Sequence, residues 1–525
     1  MIMPQAGPFI AALAALLILT LPSAVLAGGF SGGIGDTFGP HFGADPHHAP
    51  GVLTDPRRRP RPVVDSAGMV RHWNEIAVDA TGLDHTPVVP TESRVYGEQL
   101  GPGRASRAMA IIHLAMFDVV NAIEGEYKSY TGMGRALIGT SMKAGIAQAA
   151  HDMLVRLFSS QASNFDAQLA DDLSEIQDGQ LKANGVALGR RIAAAILAAR
   201  ANDGSQHPEP RVGIEPGNFT TSNDSGKWRQ DPISVIPLAL GAYWADVKPF
   251  VLERADQFRV PPPPRLGSDE YADAYNGVRT LGGDGLTTPT TRTAEQTQIG
   301  LYWAYDGTPS LCAPPRLYNQ IAMRVAHKMG TDTDALELSR LLALVNVAMA
   351  DAGIAVWESK YYYQYWRPVT GIREADEQTG PTGLGDGNPA TNGDTTYSPL
   401  GAPASNLAGP NFTPPFPAYP SGHAGFGGAL FEMLRKYYRT DRIRFTFISD
   451  EFNGVTRDNN GVVRPVVERS FSSLSEAEEE NGQSRIYLGI HWAFDKTEGI
   501  AQGRRVADYV FKHALQPRHQ RGDGR

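Results

Sequence analysis

Lys360 and Arg367 stand at the two ends of the stretch KYYYQYWRP, with Tyr361, Tyr362, Tyr363, Tyr365 and Trp366 crowded between them. Seven residues is close to two turns of an α-helix, so a helix through this stretch projects both cations from one face, and Pro368 then stops it. Two cations on one stripe repel each other unless an anion lies between them, and the flanking rings disfavour a fully hydrated face. A second stretch, PSGHAGFGG at 420–428, places Pro420 as a helix-start signal, Ser421 as a hydroxyl donor, and Gly422 where the backbone approaches something closely. Exposed amides at a helix start bind anions, and His423 on that first turn titrates in the range useful for proton exchange. A third stretch, SRIYLGIHW at 484–492, adds Arg485 and His491. On a continuous helix these two would face different directions, so a break near Gly489 is expected to swing His491 back toward Arg485.

The elements that carry these residues are helical. The chain has 525 residues, 42% hydrophobic and 20% charged, enough to bury a large core. Apolar residues recur at three- and four-residue spacing over 107–123, 139–158, 161–174 and 180–201, and again over 316–329, 334–366, 421–438, 474–488 and 497–514. Strand signals are sparse. The expected fold is all-α, two helix bundles in one large domain with long loops. Its segments are an irregular lead over 28–92, an N-terminal bundle over 93–300 and a C-terminal bundle over 301–525. A Pro- and Gly-rich connection over about 205–295 separates the helical groups, and a second long loop, 378–415, delivers the chain to Ser421.

In chain order the chemistry reads Lys-x6-Arg-Pro, Pro-Ser-Gly-His, then Ser-Arg-x5-His. Ten such identities with free gaps arise by chance on the order of once in several hundred thousand chains of this length. The set resembles that of the superfamily uniting vanadium-dependent haloperoxidases with type 2 phosphatidic acid phosphatases and bacterial acid phosphatases. WAYDG at 303–307, Trp357, the WRP ending at Pro368 and PFPAYPSGH at 415–423 are similar to the chloroperoxidase branch, and IIHLAMFD at 111–118 extends the likeness loosely into the first bundle.

That resemblance implies one vanadate per chain, its oxygens held by Lys360, Arg367, Ser421, Gly422 and Arg485, with His491 as the single metal ligand. Three cations suit a multiply charged tetrahedral oxyanion, and the aromatic run keeps water away from them. It further implies His423 as the general base toward hydrogen peroxide, Lys360 as the group that polarises the peroxide attacked by halide, and Asp306 as the partner of Arg485. Trp357 and Phe416 line the halide side, and Phe416 tilts the expectation toward chloride. The implied partners are hydrogen peroxide, halide (chloride or bromide) and an organic acceptor, and the implied product is hypohalous acid. Two alternatives use the same residues: an acid phosphatase working through a phosphohistidine at His491, and a non-catalytic exported oxyanion-binding protein, which has no evident use for His423.

The remaining features bound the setting. A net charge of -8 supplies no overall field for nucleic acid. Phe9 to Leu21 followed by Val25-Leu26-Ala27 reads as a signal peptide over 1–27, implying export; no later run is expected to reach the roughly 18 apolar residues of a spanning helix, so stable membrane insertion is not expected. Arg57, Arg58, Arg59 and Arg61, interleaved with prolines, read as an extended solvated arm, and His41, His47 and His48 as solvated histidines. Cys312, the single cysteine, reads as a small buried hydrophobe, and His113 as a hydrogen-bonded interior histidine.

Overall fold

Between Leu338 and Tyr361 every residue of one long helix is buried, the pattern of a helix that is apolar all round and sits inside a core. Its start is fixed by Asp334, whose carboxylate accepts from the amides of Leu336 and Glu337 at 2.9 Å each. A computed structural model of the chain describes residues 33–44 and 63–518. Around the central helix run α1 (Ile34–Phe38), β1 (Gly43–Ala44), α2 (Ser66–Asp84), α3 (Gly101–Glu124), α4 (Met142–Leu157), α5 (Ala162–Ser174) and α6 (Gln180–Arg200). Then come α7 (Asp269–Leu281), α8 (Ala294–Tyr302), α9 (Pro314–Met329), the central α10 (Ala335–Tyr363), α11 (Pro368–Arg373), β2 (Leu407–Ala408) and α12 (Gly422–Tyr438). The chain closes with β3 (Phe445–Asn453), β4 (Val466–Phe471), α13 (Leu474–Tyr487) and α14 (Ala493–His513).

The fold is all-α, as expected, with two bundles around one continuous apolar cluster. Helix α10 joins them, packing on α3 of the first bundle and on α12 and α14 of the second. The expected boundary between residues 300 and 301 falls inside α8. Strand content is limited to two short antiparallel pairs among the described residues, β1 with β2 and β3 with β4.

Three expectations need correction. The lead over 28–92 is not irregular throughout: Asp65 caps α2 by accepting from the Gly68 amide at 2.6 Å, and Met69, Val70, Trp73, Ala77 and Ala80 pack into the core. Gly- and Pro-rich composition upstream masked this apolar periodicity. The connection over 205–295 likewise contains α7, capped by Ser268, and the start of α8, opened by a Thr293–Gln296 capping box. Finally, α3 and α10 are long and apolar enough to cross a membrane, but their apolar windows are 94% and 100% buried within the fold, which is what their hydrophobicity serves. The signal peptide over 1–27, the arginines at 57–61, and His47 and His48 lie outside the described residues.

His113 is fully buried between the Met109 carbonyl (2.7 Å) and Asn74 Oδ1 (2.8 Å). Cys312 packs with Ala105 and Ala313, and burial pushes its thiol up to about 11. Both are structural, as expected.

Candidate active site

Four segments meet at the C-terminal end of α10. Lys360 lies in its last turn, fully buried, donating through Nζ to the carbonyls of Pro417 (2.8 Å) and Ala418 (2.9 Å). The helix does not run on to Arg367. Gln364 adopts a left-handed conformation (φ 51°), the next residues extend, and Arg367 becomes the N-cap of α11, with Pro368 starting that helix instead of stopping α10. Arg367 is held by the Phe416 carbonyl at Nε (2.9 Å) and by the Ile490 carbonyl at Nη1 (2.8 Å). The aromatic run shields the cations only in part: Tyr361, Tyr365 and Trp366 are buried, whereas Tyr362 is 57% exposed.

Helix α12 supplies the second wall. Ser421 is its N-cap and Gly422 its first residue, so the positive end of the helix dipole lies where Gly422 and His423 line the cavity. A side chain at Gly422 would approach Trp357 Cη2 to 3.1 Å, which is why glycine stands there. His423 Nε2 lies against the Ala304 carbonyl. A carbonyl only accepts, so Nε2 carries the hydrogen and Nδ1 keeps the lone pair.

The third wall follows α13. Arg485, fully buried, donates through Nη2 to Asp306 Oδ1 at 2.7 Å. The chain then turns at Gly489 (φ +73°), where any Cβ would strike the Gly282 carbonyl at 2.4 Å. The expected break is therefore present, and it returns His491 to the cavity that Arg485 lines. His491 Nε2 sits 3.0 Å from Arg367 Nη1, and its Nδ1 lies 2.8 Å from Asp495 Oδ2. Asp495 also accepts from the Trp492 amide at 3.0 Å. With Nδ1 donating to this carboxylate, Nε2 keeps the lone pair, which accepts from Arg367 Nη1.

Burial and mutual repulsion dominate the electrostatics. Burial, then the neighbouring Arg367, holds the Lys360 ammonium well below its ordinary value. Burial brings Arg367 down to about 9, and burial with the surrounding cations keeps His491 and His423 well below the ordinary imidazole range. Burial raises the Asp495 carboxyl to about 7 and raises Asp306 as well, against the pull of Arg485. Three buried cations thus face two carboxylates that burial itself discourages from ionising. Arg367 Nη2, Arg485 Nε and Arg485 Nη1 are buried with no hydrogen-bond partner. Buried donors left unpaired are costly; cationic N–H donors of this kind suit an oxyanion, so the donor set fits vanadate or phosphate.

Residues 340–520 match the family described as VCPO second helical-bundle domain. A vanadium chloroperoxidase of Curvularia inaequalis is 30% identical over 529 residues, covering 83% of this chain and 81% of that protein. The chain belongs to the vanadium haloperoxidase family. A bacterial vanadium-dependent iodoperoxidase structure shares the fold of this haloperoxidase family member with a TM-score of 0.67 at 22% identity, over 88% of this chain and 100% of its own. The holo form of a bacterial vanadium-dependent chloroperoxidase aligns with a TM-score of 0.57 at 16% identity, over 81% and 94%.

The geometry brings together the residues singled out from sequence. Asp306, Trp357, Phe416, Gly422, His423, Arg485 and His491 line one cavity, and Lys360 and Arg367 lie against its Phe416 ring. Trp357 and Phe416 lie with ring centroids 5.0 Å apart, and Lys360 Nζ lies 5.1 Å from the Phe416 ring. Two participants were missed. Asp495 stands four residues after His491, the spacing that lets a helix-start carboxylate reach back to an imidazole, and that spacing was readable. The Ala304 carbonyl, which fixes the His423 tautomer, leaves no side-chain signal.

Proposed function

We propose that this protein is a vanadium-dependent haloperoxidase that oxidises chloride or bromide with hydrogen peroxide to hypohalous acid. The observation that carries the reading is the set of unpaired guanidinium donors on Arg367 and Arg485, buried beside an imidazole whose Nε2 already accepts from Arg367 Nη1. Lys360, Arg367 and Arg485 would neutralise the oxyanion, Ser421 and the Gly422 amide would complete its hydrogen bonds, and His491 Nε2 would be the metal ligand. When bound, vanadate supplies a Lewis-acidic centre toward hydrogen peroxide.

The chain's own groups do the rest. Asp495 keeps the hydrogen of His491 on Nδ1, so that Nε2 stays available. His423 Nδ1 takes a proton from incoming peroxide, its low basicity in the bare site rising once negative charge lies beside it. Lys360 has three hydrogens and spends two on the Pro417 and Ala418 carbonyls. The third, with the ammonium charge, would be left to stabilise developing oxygen charge. Trp357 and Phe416 exclude water from the side where halide approaches.

The test is a halogenation assay on metal-free protein with peroxide and each halide, before and after vanadate, with p-nitrophenyl phosphate hydrolysis in parallel. Activity that appears with vanadate and is competed by phosphate is expected. Activity with haem or iron but not vanadate would contradict the reading, and hydrolysis without halogenation would favour the phosphatase alternative.

A further inference from the structure

His491 has a carboxylate of its own in Asp495, whereas the hydrogen-bond partner of the His423 ring among the described residues is a backbone carbonyl, that of Ala304 at Nε2. Burial and the cations Arg485, Lys360 and Arg367 all disfavour the protonated form of His423, and the Ala304 bond opposes them. A group that takes a proton in such surroundings needs support for its imidazolium.

The backbone behind Ala304 offers that support. The bond between Ala304 and Tyr305 is trans, so the Ala304 carbonyl and the Tyr305 amide point to opposite sides of one peptide plane. The carbonyl faces His423, and the amide donates to Glu451 Oε1 at 3.1 Å. Glu451, on β3, is fully buried, and its Oε2 accepts from Ser405 Oγ at 2.7 Å and from Arg464 Nη1. Burial raises the Glu451 carboxyl, against the pull of Arg464, which favours the ionised form. Tyr305 itself is held in a left-handed conformation (φ 44°), an outlier for a bulky side chain. Its hydroxyl accepts from the Asp450 amide at 2.6 Å and donates to Gln320 Oε1 at 3.1 Å. Backbone of this kind persists where its surroundings over-determine it, and it clusters at functional sites.

We propose that Glu451 is a positioning residue that acts on His423 through the Ala304–Tyr305 peptide. By accepting from the amide it draws electron density on to the carbonyl oxygen, which strengthens the bond from His423 Nε2–H and makes Nδ1 the better base. The proposal rests on the haloperoxidase reading for the proton that His423 takes. That proton moves from peroxide to Nδ1, the Nε2 hydrogen stays where it is, and none passes to Glu451. Hydrogen bonds in series polarise one another by about 10–30% per bond. Charge-assisted bonds are roughly twice as strong as neutral ones, so a carboxylate is an effective end to the chain.

The experiment reads the His423 Nε2–H proton by nuclear magnetic resonance of vanadate-free protein carrying isotope-labelled histidine, assigned by its loss in His423→Asn. Wild type should show a protected, far-downfield resonance that moves upfield in Glu451→Gln. That variant alone orphans the Arg464 cation, so Glu451→Gln/Arg464→Met, which removes the buried pair together, should move the resonance the same way and guards against a misfolded first variant. Tyr305→Phe cuts the other anchor of the turn but keeps the amide bond to Glu451; it should lower the urea midpoint and leave the resonance in place. With vanadate, both Glu451 variants should lose roughly tenfold in kcat/KM for hydrogen peroxide, a part of what a general base contributes, at unchanged vanadate affinity. A resonance absent from wild type, unmoved in both Glu451 variants or moved as far by Tyr305→Phe would overturn the proposal, as would an undiminished kcat/KM. The upfield shift in a protein whose wild type halogenates nothing with vanadate would uphold the coupling and overturn the peroxidase reading instead.

Discussion

Buried arginines occur in both bundles, and the two at the candidate site are treated differently from those of the first bundle. In the first bundle, Arg107 and Arg200 share Asp203, at 2.7 and 2.8 Å, while Arg104 meets Glu209 at 2.9 Å. Their remaining donors reach backbone carbonyls of the last residue of α6 and of the loop after it, and none of the three has an unpaired buried nitrogen. Burial works to raise the Asp203 carboxyl, yet the arginines hold it below its ordinary value. In the second bundle, Arg367 and Arg485 are buried as deeply but keep three unpaired donors. A closed network serves the fold; an open one of the same residue type is a seat for something brought from outside.

That contrast gives its largest effect in stability. Arg107→Met leaves buried Asp203 with one of its two arginine partners and should cost roughly 3–5 kcal/mol in denaturant unfolding. Arg367→Met removes a cation that its neighbours repel, so it should cost the vanadate-free protein clearly less while abolishing vanadate binding. Equal stability losses would erase the distinction. A smaller effect belongs to Asp495→Asn, which no longer anchors His491 as a charged acceptor: vanadate affinity should fall roughly ten- to a hundredfold, read by titration, with little change in unfolding.

The smallest effect is in pH. His423 and His491 have folded values below the unfolded imidazole value near 6.5, so the unfolded chain takes up protons that the folded chain refuses as pH drops through that value. Their contribution to stability is present above about pH 6.5 and is lost as pH falls below it. The vanadate-free protein should therefore lose stability between pH 7.5 and 5.5 more steeply than His423→Asn, and added phosphate should offset the loss. An identical slope in the variant would remove His423 from this account.

The sequence carried the identities of the site well because its chemistry lies in side chains at short fixed spacings: Ser421, Gly422 and His423 on one helix start, and Arg485 and His491 around a glycine turn. It carried the path of the backbone less well. Lys360 and Arg367 were read as one helical face, yet no glycine or proline marks the turn at Gln364. Only the steric bias against helix for the residue before Pro368 hinted that Arg367 starts something new. Helix α2 was hidden by its neighbours' composition, and α7 and α8 by the surrounding prolines. Long-range partners such as the Ala304 carbonyl have no local signature, since tertiary packing alone brings them to His423.

The central claim is that an imidazole and three buried cations grip one vanadate. Vanadium nuclear magnetic resonance of vanadate titrated into the metal-free chain measures this directly, comparing wild type with His491→Ala. The account predicts one bound vanadate per wild-type chain, displaced by phosphate, and at least a hundredfold loss of affinity, on the order of a removed metal ligand, in the variant. Equal affinity in the two proteins would contradict it.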